Sequence, residues 1–186
     1  MSEAALAAGI PTATNVDHVA WTVRDLDESV RFFVDVLGAE VILQAGPFAD
    51  PEGSWMSDHF DVEPRASGTL ALLRLGPTQV VELLQWTAAG QDTDWPFNSD
   101  VGATHIAFRV SDLDAALDHL TSHGCTPCGD RVLLEDVPHA GLTIIYVRTP
   151  IDLYLELVLP PAEAMPYEAT TSARLLPASA GWAERP

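Results

Sequence analysis

Lysine is absent from this chain of 186 residues, and positive charge of any kind is scarce. Nine arginines stand against 27 acidic residues, which gives a formal net charge of −18. Binding to nucleic acid or to an anionic membrane needs basic surface patches, so this balance argues against both partners. The absence of lysine also excludes catalysis through a lysine Schiff base. A small substrate with little charge fits the composition best.

Long apolar runs and cysteines are scarce as well. No apolar segment reaches the roughly 18 residues that a membrane-spanning helix requires. Residues 1–15 are rich in alanine but lack the basic region of a signal peptide, so we expect a flexible lead and a cytoplasmic protein. Cys125 and Cys128 form a lone CxxC, which favours two small thiols over a metal or redox site.

The chain does contain an internal repeat. His18–Asp27 and His105–Asp114 are identical at six of ten positions, and apolar residues match at two more. A second match follows later in each half, where 80–84 reads Val-Val-Glu-Leu-Leu and 154–158 reads Tyr-Leu-Glu-Leu-Val. Each half therefore carries an early histidine and a late glutamate in sequence that is typical of strands.

The order of predicted elements is the same in both halves. A strand is followed by an aspartate and by apolar residues at helical spacing, which predicts a helix, and further strands follow. The predicted strands include 39–45 in the first half, and 127–134 and 142–148 in the second. We therefore predict an α+β fold of tandem βαβββ modules that form a curved mixed sheet around a central metal cleft. The expected segments are a lead 1–15, a first module 16–87 with an insert 46–66, a linker 88–101, a second module 102–159 and an extended C-terminal arm 160–186.

The repeated histidines and glutamates are predicted to point away from the helices. Side chains alternate between the two faces of a strand, and the apolar neighbours of these residues account for the helix-facing sides. A pseudo-twofold axis between the halves would bring equivalent positions together. Two neutral imidazoles and two carboxylates then balance a divalent cation, whereas buried carboxylates without partners would be costly. We predict one site for Fe, Mn, Co, Ni or Zn, made of His18, Glu82, His105 and Glu156.

These motifs resemble the vicinal oxygen chelate superfamily, which includes glyoxalase I, methylmalonyl-CoA epimerase, type I extradiol dioxygenases and the bleomycin- and fosfomycin-resistance proteins. The resemblance rests on the His-x-Ala-aromatic-x-Val-x-Asp-Leu-Asp opening of each half and on the late Glu-Leu strands, and it covers about 16–159. It implies the same four ligands, in a set similar to that of bacterial glyoxalase I. A second glutamate argues against the dioxygenase branch, whose members use two histidines and one glutamate.

The resemblance implies proton transfer next to a carbonyl in a small-molecule substrate, by an epimerase, isomerase or lyase. A divalent ion can stabilise an enolate, and Glu82 and Glu156 can remove and return the proton. Two alternatives stay open, an Fe(II)-dependent dioxygenase and a non-catalytic drug-binding resistance protein. The sequence also leaves open whether the site forms within one chain or across a homodimer.

Five further residues are candidates for contact with the substrate. Arg109 shares a strand face with the second ligand histidine and suits a substrate carboxylate, or else forms an ion pair at the cleft rim. Trp86 and Tyr154 share faces with the two glutamates and would shape the pocket, although core packing is an equal alternative. His59, in the insert, and His139 are candidate acids or bases, with a solvated loop histidine as the alternative.

Overall fold

A computed structural model describes residues 9–171 of the chain. It confirms the α+β prediction and shows two mixed sheets. The chain divides into two compact units, which within the described residues are 9–89 and 90–171. The parts of the expected lead and arm that fall on 1–8 and 172–186 lie outside the described residues. Across 9–171, no helix has both the length and the apolar character needed to cross a membrane.

The first unit forms one sheet with the strand order β1-β4-β3-β2. β1 runs parallel to β4, and the other neighbouring strands are antiparallel. This order brings the beginning and the end of the unit side by side. Its elements are β1 (Val19–Thr22), α1 (Leu26–Asp35), β2 (Glu40–Ala49), α2 (Trp55–Phe60), β3 (Ser67–Leu75) and β4 (Gln79–Thr87).

The second unit repeats this arrangement with the strand order β5-β9-β8-β6, and a further short strand, β7, also pairs with β8. β5 runs parallel to β9, as β1 does to β4. Its elements are β5 (His105–Arg109), α3 (Leu113–Ser122), β6 (Thr126–Pro127), β7 (Val132–Leu133), β8 (Thr143–Arg148), β9 (Tyr154–Leu159) and a 3-10 helix (Pro166–Ala169).

Both long helices start at an aspartate of the repeat. The Asp25 carboxylate accepts a hydrogen bond from the backbone N–H of Glu28 at 2.8 Å, and Asp112 accepts one from Ala115 at 3.0 Å. Both aspartates have extended backbone, as N-cap residues do. Each carboxylate satisfies a free N–H of the first turn and lies at the positive end of the helix dipole. This repeated aspartate is therefore explained by helix initiation.

The apolar core of each unit lies between its helix and one face of its sheet. In the first unit α1 packs on β3 and β4, where Phe33 and Leu73 are fully buried. In the second unit α3 packs on β9, where Leu155 and Leu157 are buried. Burial alternates along β3 from Ala71 to Leu75, as expected for a sheet with one covered face. Glu82 and Glu156 belong to the opposite faces, away from the helices.

Two strand predictions differ from the structure. β2 was expected to end at Ala45 but continues to Ala49, because a register shift between Ala45 and Phe48 accommodates Gly46-Pro47. The single strand expected over 127–134 is instead two short strands, β6 and β7. Between them the backbone N–H of Cys128 still donates to the carbonyl of Tyr146 on β8 at 2.9 Å, and Gly129, which follows, has a φ of 153°, which favours glycine.

The described beginning of the C-terminal arm packs onto the second unit. Met165 is only 2% exposed, and the Tyr167 ring lies against the imidazole of His139 at 5.5 Å between centroids. The arm was expected to be extended, whereas a 3-10 helix starts at Pro166. A buried methionine can anchor such a segment because its flexible side chain adapts to irregular gaps.

Replacing the first helix cap should weaken the fold without touching the candidate site. We expect Asp25→Ala to lower the free energy of unfolding by about 1 kcal/mol, because an N–H of α1 loses its partner. Asp25→Ser should retain most of the stability, because a serine hydroxyl also caps. Urea unfolding followed by circular dichroism measures both variants. Equal loss in the two variants would show that capping is not the function of Asp25.

Candidate metal centre

The first unit places His18 and Glu82 on one sheet face, at neighbouring strands. β1 and β4 are parallel, and Ala20 is the register partner of Glu82. His18 precedes Ala20 by two residues, which returns it to the same face. The small side chain of Ala20 leaves room beside it for the carboxylate, and His18 Nε2 lies 3.4 Å from Glu82 Oε2.

The second unit repeats this pair. Ala107 is the register partner of Glu156, and His105 Nε2 lies 3.3 Å from Glu156 Oε2. The exposed fractions also agree, with 34% and 37% for the two histidine side chains and 17% and 14% for the two glutamates. In both units the alanine of the His-x-Ala motif lies beside the glutamate, which explains why a small residue occupies this position.

The spacing of each pair fits two ligands of one cation. Ligands bound at about 2.0–2.2 Å, with angles near 90–110° at the ion, lie roughly 3.0–3.5 Å apart. Both His–Glu separations fall in this interval. Within 9–171, however, no group of three or more His, Cys, Asp or Glu side chains is arranged to hold a metal. The structure therefore supports two matching ligand pairs, and their union in a four-residue site stays a prediction.

Asp17 orients the first histidine, and the sequence analysis missed it. Its carboxylate lies 2.7 Å from His18 Nδ1, which leaves Nε2 directed at Glu82. The pKa of His18 is raised, chiefly by the hydrogen bond with Asp17, while burial opposes this and the Glu82 carboxylate adds to it. Metal-binding histidines commonly donate their second ring N–H to a carboxylate. An aspartate directly before a candidate ligand was the available signal.

The second unit differs at the matching position, which is occupied by Thr104. Its hydroxyl is buried and has no hydrogen-bond partner among the described residues. His105 instead packs against the Tyr146 ring, edge to face, at 5.2 Å. The repeat therefore supplies two similar ligand pairs with different surroundings.

Tyr146 is a second residue that the sequence analysis missed. It is the register partner of Glu156 on β8, whereas Glu82 has Leu72 in the corresponding place. Burial raises the pKa of Tyr146, and the Glu156 carboxylate raises it further, so the hydroxyl stays protonated at neutral pH. A strand over 142–148 was predicted, but its register against β9 could not be read from the sequence.

The other predicted contact residues are distributed over both units. His59 and Trp86 belong to the first unit, where they are part of a group of aromatic rings around the insert. Tyr154 is the register partner of His105 and is buried, with the Arg148 guanidinium 5.9 Å from its ring centre. Their proposed contacts with a substrate stay predictions.

Arg109 and His139 lie at other places in the second unit. Arg109 is exposed at the far end of β5 from the histidine ligand, on the same alternating face. His139 lies in the segment between β7 and β8, where 133–137 line a surface cavity beside it. The Cys125 thiol is buried, which raises its pKa to about 11, and Cys128 is exposed. A buried, protonated thiol fits a structural cysteine.

The sequence profile of the Glyoxalase/Bleomycin resistance protein/Dioxygenase superfamily matches residues 17–137. The chain belongs to this superfamily. It is 41% identical, over 177 residues and 95% of both chains, to the 2-epi-5-epi-valiolone epimerase of an Actinomyces species. It is 31% identical, over 108 residues, to the uncharacterized protein YaeR of Escherichia coli, with 58% of this chain and 70% of that protein covered.

Solved structures of the superfamily agree with the fold. The glyoxalase family protein of Bacillus cereus superposes with a TM-score of 0.61 at 19% identity, over 84% of this chain and all of that one. A glyoxalase/bleomycin resistance protein/dioxygenase domain from Frankia superposes with a TM-score of 0.54 at 22% identity, over 84% and 99%. At these identities the likeness shows the fold alone, and the profile match over residues 17–137 confirms the superfamily resemblance seen in the sequence.

Removing the Asp17 carboxylate should change the behaviour of His18 in two measurable ways. In metal-stripped protein, Asp17→Asn should lower the pKa of His18, because the hydrogen bond that raises it is weakened; NMR titration of the ring measures this. At pH 8, where proton competition is small, Mn²⁺ or Zn²⁺ affinity should fall about 10–100-fold, because the ring is no longer oriented.

Asp61→Asn is a charge-matched control for this variant. Asp61 is exposed and has a φ of 53°, a conformation that asparagine tolerates as well as aspartate. The control should leave both the His18 titration and the metal affinity unchanged. An unaltered His18 pKa in Asp17→Asn would show that the Asp17 contact does not form in solution.

Proposed function

We propose that the protein is a divalent-metal-dependent epimerase that acts next to the carbonyl of a polyhydroxylated cyclic ketone of the valiolone class. The main support is the 41% identity, over 95% of both chains, with a protein named 2-epi-5-epi-valiolone epimerase. The two matching His–Glu pairs supply the chemistry that such a reaction needs. Their repetition in the same register supports a common role.

The proposed metal ligands are His18, Glu82, His105 and Glu156. Two imidazole nitrogens and two carboxylates suit Fe, Mn, Co, Ni or Zn and leave coordination positions for substrate oxygens. The donor spacing within each pair supports this assignment. A bound divalent cation would supply electrophilic stabilisation of the negative charge that develops on the carbonyl oxygen.

The side chains of this chain would carry the proton. In an epimerisation, a base removes the proton from the carbon next to the carbonyl, and a proton then returns to the opposite face of that carbon. Glu82 and Glu156 are the proposed groups, one removing the proton and the other, or water, returning it. A carboxylate within about 2.6–3.2 Å of the reacting atom can transfer a proton efficiently.

The charge of the protein agrees with this substrate class. A polyhydroxylated cyclic ketone carries no charge, so it meets no repulsion from a chain with a net charge of −18. A glutathione or CoA adduct is anionic and would need local clusters of cations. The nine arginines of the sequence are few for that purpose.

Incubation of the metal-loaded protein with 2-epi-5-epi-valiolone in D₂O tests the proposal. We expect inversion at the carbon next to the carbonyl, with deuterium incorporated there, as followed by NMR. EDTA should abolish the exchange and a divalent cation should restore it. Inversion that is insensitive to EDTA would contradict metal dependence, and oxygen uptake with bound iron would favour the dioxygenase alternative.

The two glutamates should be essential in this assay. Glu82→Gln and Glu156→Gln should each reduce kcat by about 10²–10⁴-fold, because a carboxamide neither accepts the substrate proton nor binds a divalent cation as a carboxylate does. Glu163→Gln removes the same charge at an exposed position and serves as the control. A glutamine variant with full activity would exclude that glutamate as a base.

A further inference from the structure

Four aromatic side chains of the first unit form one connected group, here named the aromatic cluster: Phe48, Trp55, Phe60 and Trp86. Ring centroids lie 5.5 Å apart for Phe48 and Trp86, and 5.8 Å apart from Phe60 to each of these two. Trp55 lies 5.2 Å from Phe60, edge to face. The cluster joins β2 and β4 to α2, the helix of the insert.

The cluster continues the sheet face that carries the glutamate ligand. Trp86 follows Glu82 by four residues on β4, so both side chains project from the same face. Four residues of strand span roughly 13 Å. Leu84 lies between Glu82 and Trp86 on the same face of the strand.

Gly68 leaves room for the rings of Phe48 and Trp86 to lie on the sheet. It is the register partner of both Phe48 and Trp86, in the middle of a three-strand row. A Cβ atom at Gly68 would lie 2.6 Å from the Phe48 ring and 2.7 Å from the Trp86 ring. The missing side chain therefore gives these rings their position.

The rings of Trp55 and Phe60 are partly exposed to solvent. Trp55 is 47% exposed and Phe60 is 45% exposed, while Met56 between them is fully buried and anchors α2. Phe48 and Trp86 are half-buried beneath them. The helix α2 therefore displays two large aromatic rings that connect, through Trp86, to the sheet face that carries Glu82.

Within residues 90–171, the described part of the second unit, there is no matching cluster. Leu72 pairs with Glu82 as Tyr146 pairs with Glu156, so the positions equivalent to Gly68 and Trp86 are Leu142 and Pro160. The insert also has no counterpart there. The aromatic surface therefore belongs to one half of the repeat and cannot be explained by the metal ligands that both halves share.

We propose that the aromatic cluster is the stacking surface for the carbocyclic ring of the substrate, with Trp55 and Phe60 in direct contact. This inference rests on the proposed function. The C–H bonds of a polyhydroxylated ring carry partial positive charge and form an apolar face, which the electron-rich faces of aromatic rings attract. An aromatic surface can bind an uncharged ring, and the protein needs no lysine or arginine there to do so. Small-molecule pockets commonly combine aromatic walls with a few polar groups.

Kinetics of Trp55→Leu and Phe60→Leu test the contact. We expect the KM for 2-epi-5-epi-valiolone to rise about 5–10-fold in each, with kcat within about twofold, because the rings bind the substrate but take no part in proton transfer. Trp55→Phe, which keeps an aromatic face, should retain most of the affinity. Phe97→Leu, at a 69% exposed aromatic residue of the second unit, is the matched control.

Gly68→Ala is an independent test that removes no aromatic atom. The backbone of Gly68 lies outside the left-handed region, so alanine is tolerated there, but its methyl group must displace Phe48 or Trp86. A KM increase in this variant, with a normal thermal unfolding curve, would support the stacking surface. An unchanged KM in both leucine variants and in Gly68→Ala would show that the rings only pack the insert against the sheet. This result would overturn the proposal.

A binding measurement separates this inference from the proposed function. The cyclitol formed by reducing the substrate carbonyl cannot react, so saturation-transfer NMR can be run on metal-stripped protein. Its ring protons should receive saturation from wild-type protein and lose it in the Trp55→Leu/Phe60→Leu double variant. If the ring protons of the cyclitol received no saturation from wild-type protein, the proposed stacking surface would be rejected. Failure of epimerisation alone, with transfer retained, would reject only the proposed function.

Discussion

In each unit, a histidine at the start of the first strand contacts a glutamate on the last strand. The rest of the structure depends on this contact. It forms only because β1 lies parallel beside β4, and β5 beside β9, which brings the beginning and the end of each unit together. The apolar residues on either side of each glutamate are buried on the helix side of the sheet: Val81 and Leu83 in the first unit, and Leu155 and Leu157 in the second. One face of each sheet therefore provides the folding free energy, and the opposite face is free for chemistry.

The departures from symmetry carry the specific features of this protein. Asp17 orients His18, whereas Thr104 occupies the matching place before His105. Tyr146 lies opposite Glu156, whereas Leu72 lies opposite Glu82. The insert adds the aromatic cluster to the first unit only.

The fold was largely predictable because its signals are local and repeated. Asp25 and Asp112 mark helix starts, and alternation marks the strands, so the α+β class followed from periodicity alone. The errors lie where local signals conflict with pairing. Gly46-Pro47 indicated the end of β2, but a register shift absorbs it within the sheet. The split of the expected second strand of the second unit into β6 and β7 likewise depends on which residues of β8 find partners.

The sequence by itself determined the repeat, the fold class and the residue types of the candidate ligands, because these depend on order and spacing along one chain. Only the tertiary structure decided which side chains become neighbours across strands. Tyr146 beside Glu156, and Gly68 beneath Phe48 and Trp86, are consequences of register. Register arises from packing between segments that are distant in sequence, and a shift of one residue would turn every side chain to the other face.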